Sequence, residues 1–528
     1  MTEDSNDFDS ILVEVGEFGR YQRRICFLIL FCVIVSYSSS VIFVFETKPV
    51  NHRCEIFECD VKPIEYKPDW WTNAIPAKNS EPSKCSKYQR INNTNNGSCA
   101  ASSFNHESVE QCKIFVYETN ETSIMHDFNL QCEENVWKLT LVGTIHSCGT
   151  LIGLPIFGIL SDKYGRKTIL LYGLVLSGVI GLTRSFASSY LLYIILECLD
   201  AFCRSASYPT IWILGSELVS PKKRVLVTLL FSATYAFAGV LEGLLGWILQ
   251  SWRILLRIIY TLHLTMIFYY WLIPESVRWL LAKKRFDKAK DILKHVANVN
   301  GKVVSEEFLQ KLENYETDKE NIKINSVSEL FASGTLMLRL VNSAFCWVFC
   351  LFLYNGLTVN SVQLSGNSYL DFILTMAVEI PGSIAYIIVD VVGRRLPLAG
   401  GFLLTGLACL GSIFIPLDLH WLKLSLYLLG KFGVSVSICV LYSVTTEVFP
   451  TPFRNALLST CIMFGGLGLM AAPQMPLLES FWQPLPLLLF GLSGLLAAIL
   501  ALLFPETINI TLPNTIEEAE NIGKKSKT

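Results

Sequence analysis

The chain has 528 residues, of which 52% are hydrophobic and 17% charged, and its net charge is −2. A water-soluble fold of that composition would expose far too much apolar surface. Its basic residues sit in short clusters at the ends of apolar runs, not along one stripe, which excludes a nucleic-acid partner. There is no G-x-x-x-x-G-K-[ST] phosphate loop, zinc spacing or serine-hydrolase elbow, so neither an enzyme nor a bound metal or cofactor is expected.

Residues 1–24 form a polar N-terminus that ends in Arg20, Arg23 and Arg24. An apolar run over 25–45 follows; it is too long for a signal peptide and no A-x-A site follows it, so it is read as a first membrane helix. Residues 46–136 are polar and hold Cys54, Cys59, Cys85, Cys99, Cys112 and Cys132, with glycosylation sequons at Asn92, Asn96 and Asn120. Six cysteines in such a segment predict three disulfides in an oxidising, external setting, with fifteen pairings open. Five more spans fill 137–273, a Lys/Glu-rich amphipathic linker covers 274–335, and six spans fill 336–504 before a polar tail at 505–528. Each apolar run is about 20 residues, the length that crosses a hydrocarbon core of roughly 30 Å. The clusters Lys163/Arg166/Lys167, Lys222/Lys223/Arg224, Arg394/Arg395, Arg454 and Lys524/Lys525/Lys527 fall on one side with the N-terminal arginines, which makes that side and both termini cytosolic.

Three signals recur about 230 residues apart, each at the end of an apolar run. Asp162, Gly165 and Arg166 return as Asp390, Gly393 and Arg394; Glu217 to Arg224 returns as Glu447 to Arg454; Pro274-Glu275-Ser276 returns as Pro505-Glu506-Thr507. The expected fold is an all-α membrane protein of twelve transmembrane helices in two six-helix bundles, with a disulfide-rich extracellular loop. Two parallel membrane repeats with a site at their interface are the plan of a transporter.

These residues also carry a family likeness. GEFGRYQRR from Gly16 to Arg24, the Cys-rich loop opening at His52-Arg53-Cys54, GILSDKYGRK from Gly158 to Lys167 and PESVRWLL from Pro274 to Leu281 occur in order. With Tyr369 to Phe372 and Val378 to Gly382, the whole chain resembles the organic cation/anion/zwitterion transporters of the major facilitator superfamily, especially the organic cation subgroup. The resemblance implies alternating access at the plasma membrane. It also implies charged latches in which Asp162 and Arg166, with Asp390 and Arg394, hold the outward-facing state; Glu217, Glu447 and Arg454 are expected to join them.

Charges inside spans carry the functional reading, since each costs about 2.5–3.5 kcal/mol at mid-bilayer unless it meets a partner or a wet cavity. Glu379, followed by the helix-loosening Pro381-Gly382, reads as a fixed negative charge for a cationic substrate; the alternative is an intramembrane ion pair. Anion-transporting relatives carry a lysine one turn later, where this chain has Ser383. Trp347 and Tyr354 share a helical face, and the resemblance puts them on the pathway. Tyr37, Tyr208, Trp212, Tyr235, Tyr386 and Tyr442 are further candidates for an aromatic wall, where each ring would attract a cation by about 0.5–2 kcal/mol.

Two features depart from the family pattern. Gly466 stands where cation transporters have an acidic residue and anion or carnitine transporters an arginine, which keeps zwitterions in play. Glu197, Asp200 and Arg204 share one helical face, so Arg204 either pairs within its own helix or holds a substrate carboxylate. Lys431 is read as structural, and Glu242 and His146 as polar groups satisfied inside the bundle. The expected partners are a small organic cation or zwitterion and membrane lipid, and the external loop is a candidate surface for self-association. The competing readings are an organic anion carrier using Arg204 or Lys431, and a non-transporting receptor on the same fold.

Overall fold

Hydrocarbon offers no hydrogen-bond partner, so a segment crossing it satisfies its backbone within itself, as a helix. The computed structural model, which describes residues 15–78, 81–91, 99–205, 207–302, 327–364, 367–416, 419–508 and 512–523, places helices along all twelve apolar runs. The first half is α1 (Arg20–Ser38, extended by Phe43–Glu46), α2 (Val136–Tyr164), α3 (Arg166–Arg184), α4 (Tyr190–Arg204, resuming at Ser207–Glu217), α5 (Pro221–Leu249) and α6 (Trp252–Thr265, running on to Leu272). The second half is α7 (Gly334–Val359), α8 (Ser368–Ala377, Glu379–Gly382 and Ala385–Val392), α9 (Arg395–Ile413), α10 (His420–Val448), α11 (Arg454–Ala471, running on to Glu479) and α12 (Leu485–Ala501). Among the described residues ten of these are long and apolar enough by themselves to span a membrane. The other two are α4, which is split, and α12, which is 17 residues long.

Each half has its own apolar core. Ile29, Leu174 and Phe231 are buried in the first, and Leu353, Phe402, Val444 and Phe490 in the second, while Ile259 belongs to a cluster that also takes in Tyr369, Phe372 and Met376 of α8. The start of each half is clamped by chain that follows its last span. The side chain of Asn300, ending the linker helix Phe286–Asn300, accepts from the Tyr21 N–H (3.0 Å) and donates to Val15 O (3.0 Å) and Gln22 (2.9 Å). In the second half Arg339 of α7 donates to the carbonyl of Ile522 (2.7 Å), just past the helix Ile516–Asn521.

The loop between α1 and α2 folds as a small unit of three two-stranded antiparallel ribbons. They pair β1 (His52–Cys54) with β6 (Phe115–Tyr117), β2 (Ala77–Lys78) with β3 (Glu81–Pro82), and β4 (Ser86–Arg90) with β5 (Phe104–Gln111). A unit this size has little core (Ile56, Ala74, Ile75 and Phe104), and three disulfides staple it: Cys54–Cys112, Cys59–Cys99 and Cys85–Cys132. Asn120 is exposed, whereas Asn92 and Asn96 lie outside the described residues, as do Lys524, Lys525 and Lys527.

At the centre of that loop Arg53 is fully buried. Its guanidinium grips Asp60 with two hydrogen bonds (2.6 and 3.0 Å) and donates also to the carbonyls of Cys54, Glu65 and Tyr66 (2.6–2.9 Å). Removing one member of a buried pair leaves the other charge stranded, at about 3–5 kcal/mol. Asp60→Ala is therefore expected to make the loop sensitive to protease in intact cells, while Lys67→Ala, which breaks the exposed pair with Glu81, leaves it resistant; limited proteolysis of the two variants checks this.

Candidate functional site

Pro381 has no N–H to give the preceding turn, and α8 is interrupted on both sides of the short helix Glu379–Gly382. Glu379 opens that helix and points its carboxylate inward, 6% exposed. Oε1 lies 2.7 Å from Nζ of Lys431 on α10, and Oε2 accepts from the Tyr354 hydroxyl of α7 at 2.5 Å. Lys431 is fully buried and also donates to Tyr354 O (2.9 Å) and Thr358 Oγ1 (2.7 Å), with its ammonium 3.7 Å from the centre of the Tyr354 ring. Three helices thus meet on one carboxylate.

Glu379 therefore has a basic neighbour, supplied by α10 and not by its own helix, as the ion-pair alternative has it, and that neighbour is Lys431, which the sequence left without a partner. Trp347, expected on the pathway, is fully buried; its Nε1 donates to Thr445 (3.1 Å) and its ring stands edge-on to Tyr442 (4.6 Å). It supports the site from behind.

Facing this cluster, the first half presents a chain of rings: Tyr37–Tyr235 (4.3 Å), Tyr235–Tyr208 (5.5 Å) and Tyr208–Trp212 (5.7 Å). Tyr208 is 38% exposed although Tyr442, Tyr235 and Glu379 all lie within electrostatic reach of it. Its open face therefore looks into the space between the halves.

The charged face of α4 is wired differently from the expected i, i+3, i+7 pairing. Arg184 of α3 is fully buried among Glu46 (2.9 Å), Glu197 and Asp200 (3.7 Å); Tyr193 donates to Glu46, and Ser177 and Tyr260 donate to Asp200. Arg204 makes none of these bonds. It donates to Ser40 (2.7 Å) and to Nε2 of His146 (2.9 Å), whose Nδ1 meets Glu197 at 2.6 Å. Since arginine can only donate, Nε2 accepts and the His146 proton sits on Nδ1. His146 is satisfied inside the bundle, as expected, but Glu242 is not: it is buried, with neither oxygen hydrogen-bonded among the described residues.

At the other end of the helices the duplicated motifs build the same cluster twice. In the first half Arg166 pairs with Glu217, Ser276 donates to Glu217, and Glu275 accepts the N–H groups of Arg166 and Lys167 (both 3.1 Å). In the second, Arg394 pairs with Glu447 (3.2 Å), Thr507 donates to Glu447 (2.5 Å), and Glu506 accepts the N–H groups of Arg394 (2.9 Å) and Arg395 (3.1 Å). Burial opposes the charge on Glu506, but four backbone N–H groups outweigh it and hold its pKa below the usual carboxylate range. Gly165 (φ +111°) and Gly393 (φ +100°) let the chain turn tightly against those carboxylates, a backbone conformation that side chains resist. Arg454 reaches Thr451 (3.1 Å); Asp162 is exposed and gives only its carbonyl, to Trp279 (2.9 Å); the side chain of Asp390 lies outside the described part. These contacts close within each half.

The halves meet instead at the end nearest the disulfide loop. Thr140 and Thr144 of α2 share Gln474 (3.1 and 2.6 Å), and Ser147 donates to Leu469 O (3.1 Å). Gly466, where the family pattern has a charge, lies at this crossing: a Cβ there would fall 2.6 Å from Leu151 of α2, while Gly465 and Gly468 press against α7. A side chain at Gly466 would have to displace the Leu151 side chain.

The family model for sugar (and other) transporters matches residues 90–519. The chain is 32% identical over 542 residues to the organic cation transporter-like protein of Drosophila melanogaster, covering 98% of this chain and 94% of that one. It is 32% identical over 534 residues to solute carrier family 22 member 1 of Bos taurus (98% and 94%) and 30% identical over 536 residues to solute carrier family 22 member 2 of Homo sapiens (98% and 96%). Among solved structures, a partially occluded, inward-open xylose transporter XylE from E. coli superposes with a TM-score of 0.63 at 14% identity, covering 92% of this chain and 98% of that one; at that identity the likeness concerns the fold alone.

If Glu379 and Lys431 depend on each other, Lys431→Met strands a buried carboxylate at about 3–5 kcal/mol. Combining it with Glu379→Gln is then expected to recover much of the loss, a non-additivity that thermal unfolding of the purified single and double variants measures.

Proposed function

We propose that this chain, which belongs to the solute carrier 22 family of major facilitator transporters, carries small organic cations or zwitterions across the plasma membrane by alternating access. The observation that carries the reading is Glu379, a carboxylate at a helix break, held between a phenol and an ammonium and facing a wall of tyrosines. An incoming ammonium exchanges with Lys431 for Oε1 of Glu379, while Lys431 keeps Tyr354 O and Thr358 as acceptors. Tyr354, Tyr235, Tyr208, Trp212 and Tyr442 offer ring faces to the cation. A zwitterion fits the same pair: its amine on Glu379, its carboxylate on the displaced Lys431. That role for Lys431 is preferred to the one considered for Arg204, whose two Nη groups each already donate within the first half, to Ser40 and to His146. The names of the relatives, organic cation transporter and organic cation transporter-like protein, favour the same substrate class.

In this reading the disulfide loop faces outside and both termini face the cytosol, in keeping with the basic clusters at the opposite ends of the helices and with disulfides that need an oxidising compartment. The seam between α2 and α11 is then a closed outer gate, and the structure is the inward-facing state. The outward-facing state opens that seam and brings the two charged clusters together. Asp162, exposed here, then finds a basic partner across the halves, with Arg166, Arg394, Glu217, Glu447 and Arg454 re-sorting their contacts around the fixed turns at Gly165 and Gly393.

Cells expressing the chain are expected to take up a labelled tetraalkylammonium or a betaine and not an organic anion. Glu379→Gln is expected to cut that uptake at least tenfold with surface protein unchanged. Anion uptake that survives the variant would instead assign the site to Lys431 alone.

A further inference from the structure

Glu242 breaks the rule that the other buried carboxylates of the first half obey. Glu46, Glu197 and Asp200 each touch Arg184 and a further donor, whereas Glu242, 1% exposed, has neither oxygen hydrogen-bonded. Its helix lines the seam: on the same stretch of α5, Gly239 and Gly243 admit Met376, Ile373 and Phe372 of α8, and Gly246 admits Phe45 and Tyr369. Of these α8 side chains only Tyr369 carries a polar group. The charged groups within reach are Glu46 at the end of α1 and Arg204 on α4, and Tyr37 and Tyr235 lie within electrostatic reach of both Glu242 and Glu379. On α6, Tyr260 is committed to Asp200, and His263 to Ser39 (3.0 Å) and Ile259 O (3.0 Å). Arg204 has its Nη groups on Ser40 and His146, and its Nε is left without an acceptor.

We propose that Glu242 is a second cation site, one that holds either a proton or the substrate's positive charge, so that the carrier exchanges an organic cation for a proton. A buried carboxylate with no donor on either oxygen is not held in its ionised form, and Arg204, the cation within reach, is bonded to Ser40 and His146 rather than to it. In the closed-seam state it is a carboxylic acid. When the seam opens, water reaches it and the proton leaves to that side; the carboxylate then accepts the ammonium of the substrate, one tyrosine layer from Glu379. The halves close again only over a neutralised Glu242, and substrate release toward the other side requires a proton to replace it. One positive charge moves each way, and no bond other than the O–H is made or broken. This rests on the cation-carrier reading above, and the assay separates the two.

The full chain is reconstituted in vesicles with the membrane potential clamped at zero, and a labelled tetraalkylammonium is followed. Exchange of internal for external unlabelled cation is measured first; its absence in the wild type would refute the cation-carrier reading, and infrared titration of the buried acid in wild type against Glu242→Gln would then decide the proton site alone. With exchange present, an interior ten times more acidic than the exterior is expected to drive about tenfold accumulation, one proton per cation, equivalent to about 1.4 kcal/mol. Glu242→Gln, which cannot release a proton, is expected to bring accumulation to about onefold, and Glu242→Asp to retain it. Wild-type accumulation indifferent to the gradient, or full accumulation by Glu242→Gln, would overturn the proposal.

Discussion

The ion pair between Glu379 and Lys431 is the contact on which the rest of the reading depends. At 2.7 Å it joins α8 to α10, and the Tyr354 hydroxyl joins both to α7. Taking two charges out of water costs several kcal/mol each, and their attraction offsets this only when the remaining lone pairs and protons are also satisfied. Here they are nearly all satisfied, by Tyr354, its carbonyl and Thr358. Such a pair is stable while closed and easily exchanged, because a substrate that brings its own positive charge replaces one ammonium by another at little net electrostatic change. The break in α8 at Pro381 matters for the same reason: it sets Glu379 at a helix start beside irregular backbone, where a ligand can approach.

The first half solves the same problem with a larger network. Arg184 is shared by three carboxylates contributed by α1 and α4, and tyrosine and serine hydroxyls and His146 donate to their other oxygens. This makes the first bundle stiff around its centre and leaves the ring chain from Tyr37 to Trp212 as the surface that faces the second. Gly466 fits the same division of labour. There α11 packs closely on α2 and α7 through Gly465, Gly466 and Gly468, and in the proposed reading the binding charges come from α8 and α10 instead.

Much of the fold was legible in the sequence because its rules are local: apolar length marks spans, six clustered cysteines mark a stapled loop, and Asp-x-x-Gly-Arg marks the duplicated turn. The twin clusters around Glu217 and Glu447 were foreshadowed by three motifs recurring at one spacing, although which atom meets which was not. What sequence reasoning missed is tertiary. Helical spacing joined Glu197 and Asp200 to Arg204, but their partner is Arg184 on another helix, across a loop. Lys431 is far along the chain from Glu379, and no periodicity links them. Nor does a sequence pattern tell a satisfied buried polar group from an orphaned one: His146 and Glu242 looked alike as lone polar residues, and only the three-dimensional neighbours separate them.

The most direct test of this account is a structure of the chain with a permanent organic cation bound. The account predicts the cation's positive centre in contact with Glu379 and the Tyr354 ring, with the Lys431 ammonium withdrawn from Oε1 onto Thr358. A bound cation elsewhere, with the Glu379–Lys431 pair intact at its present distance, would contradict it and leave that pair as a structural rivet.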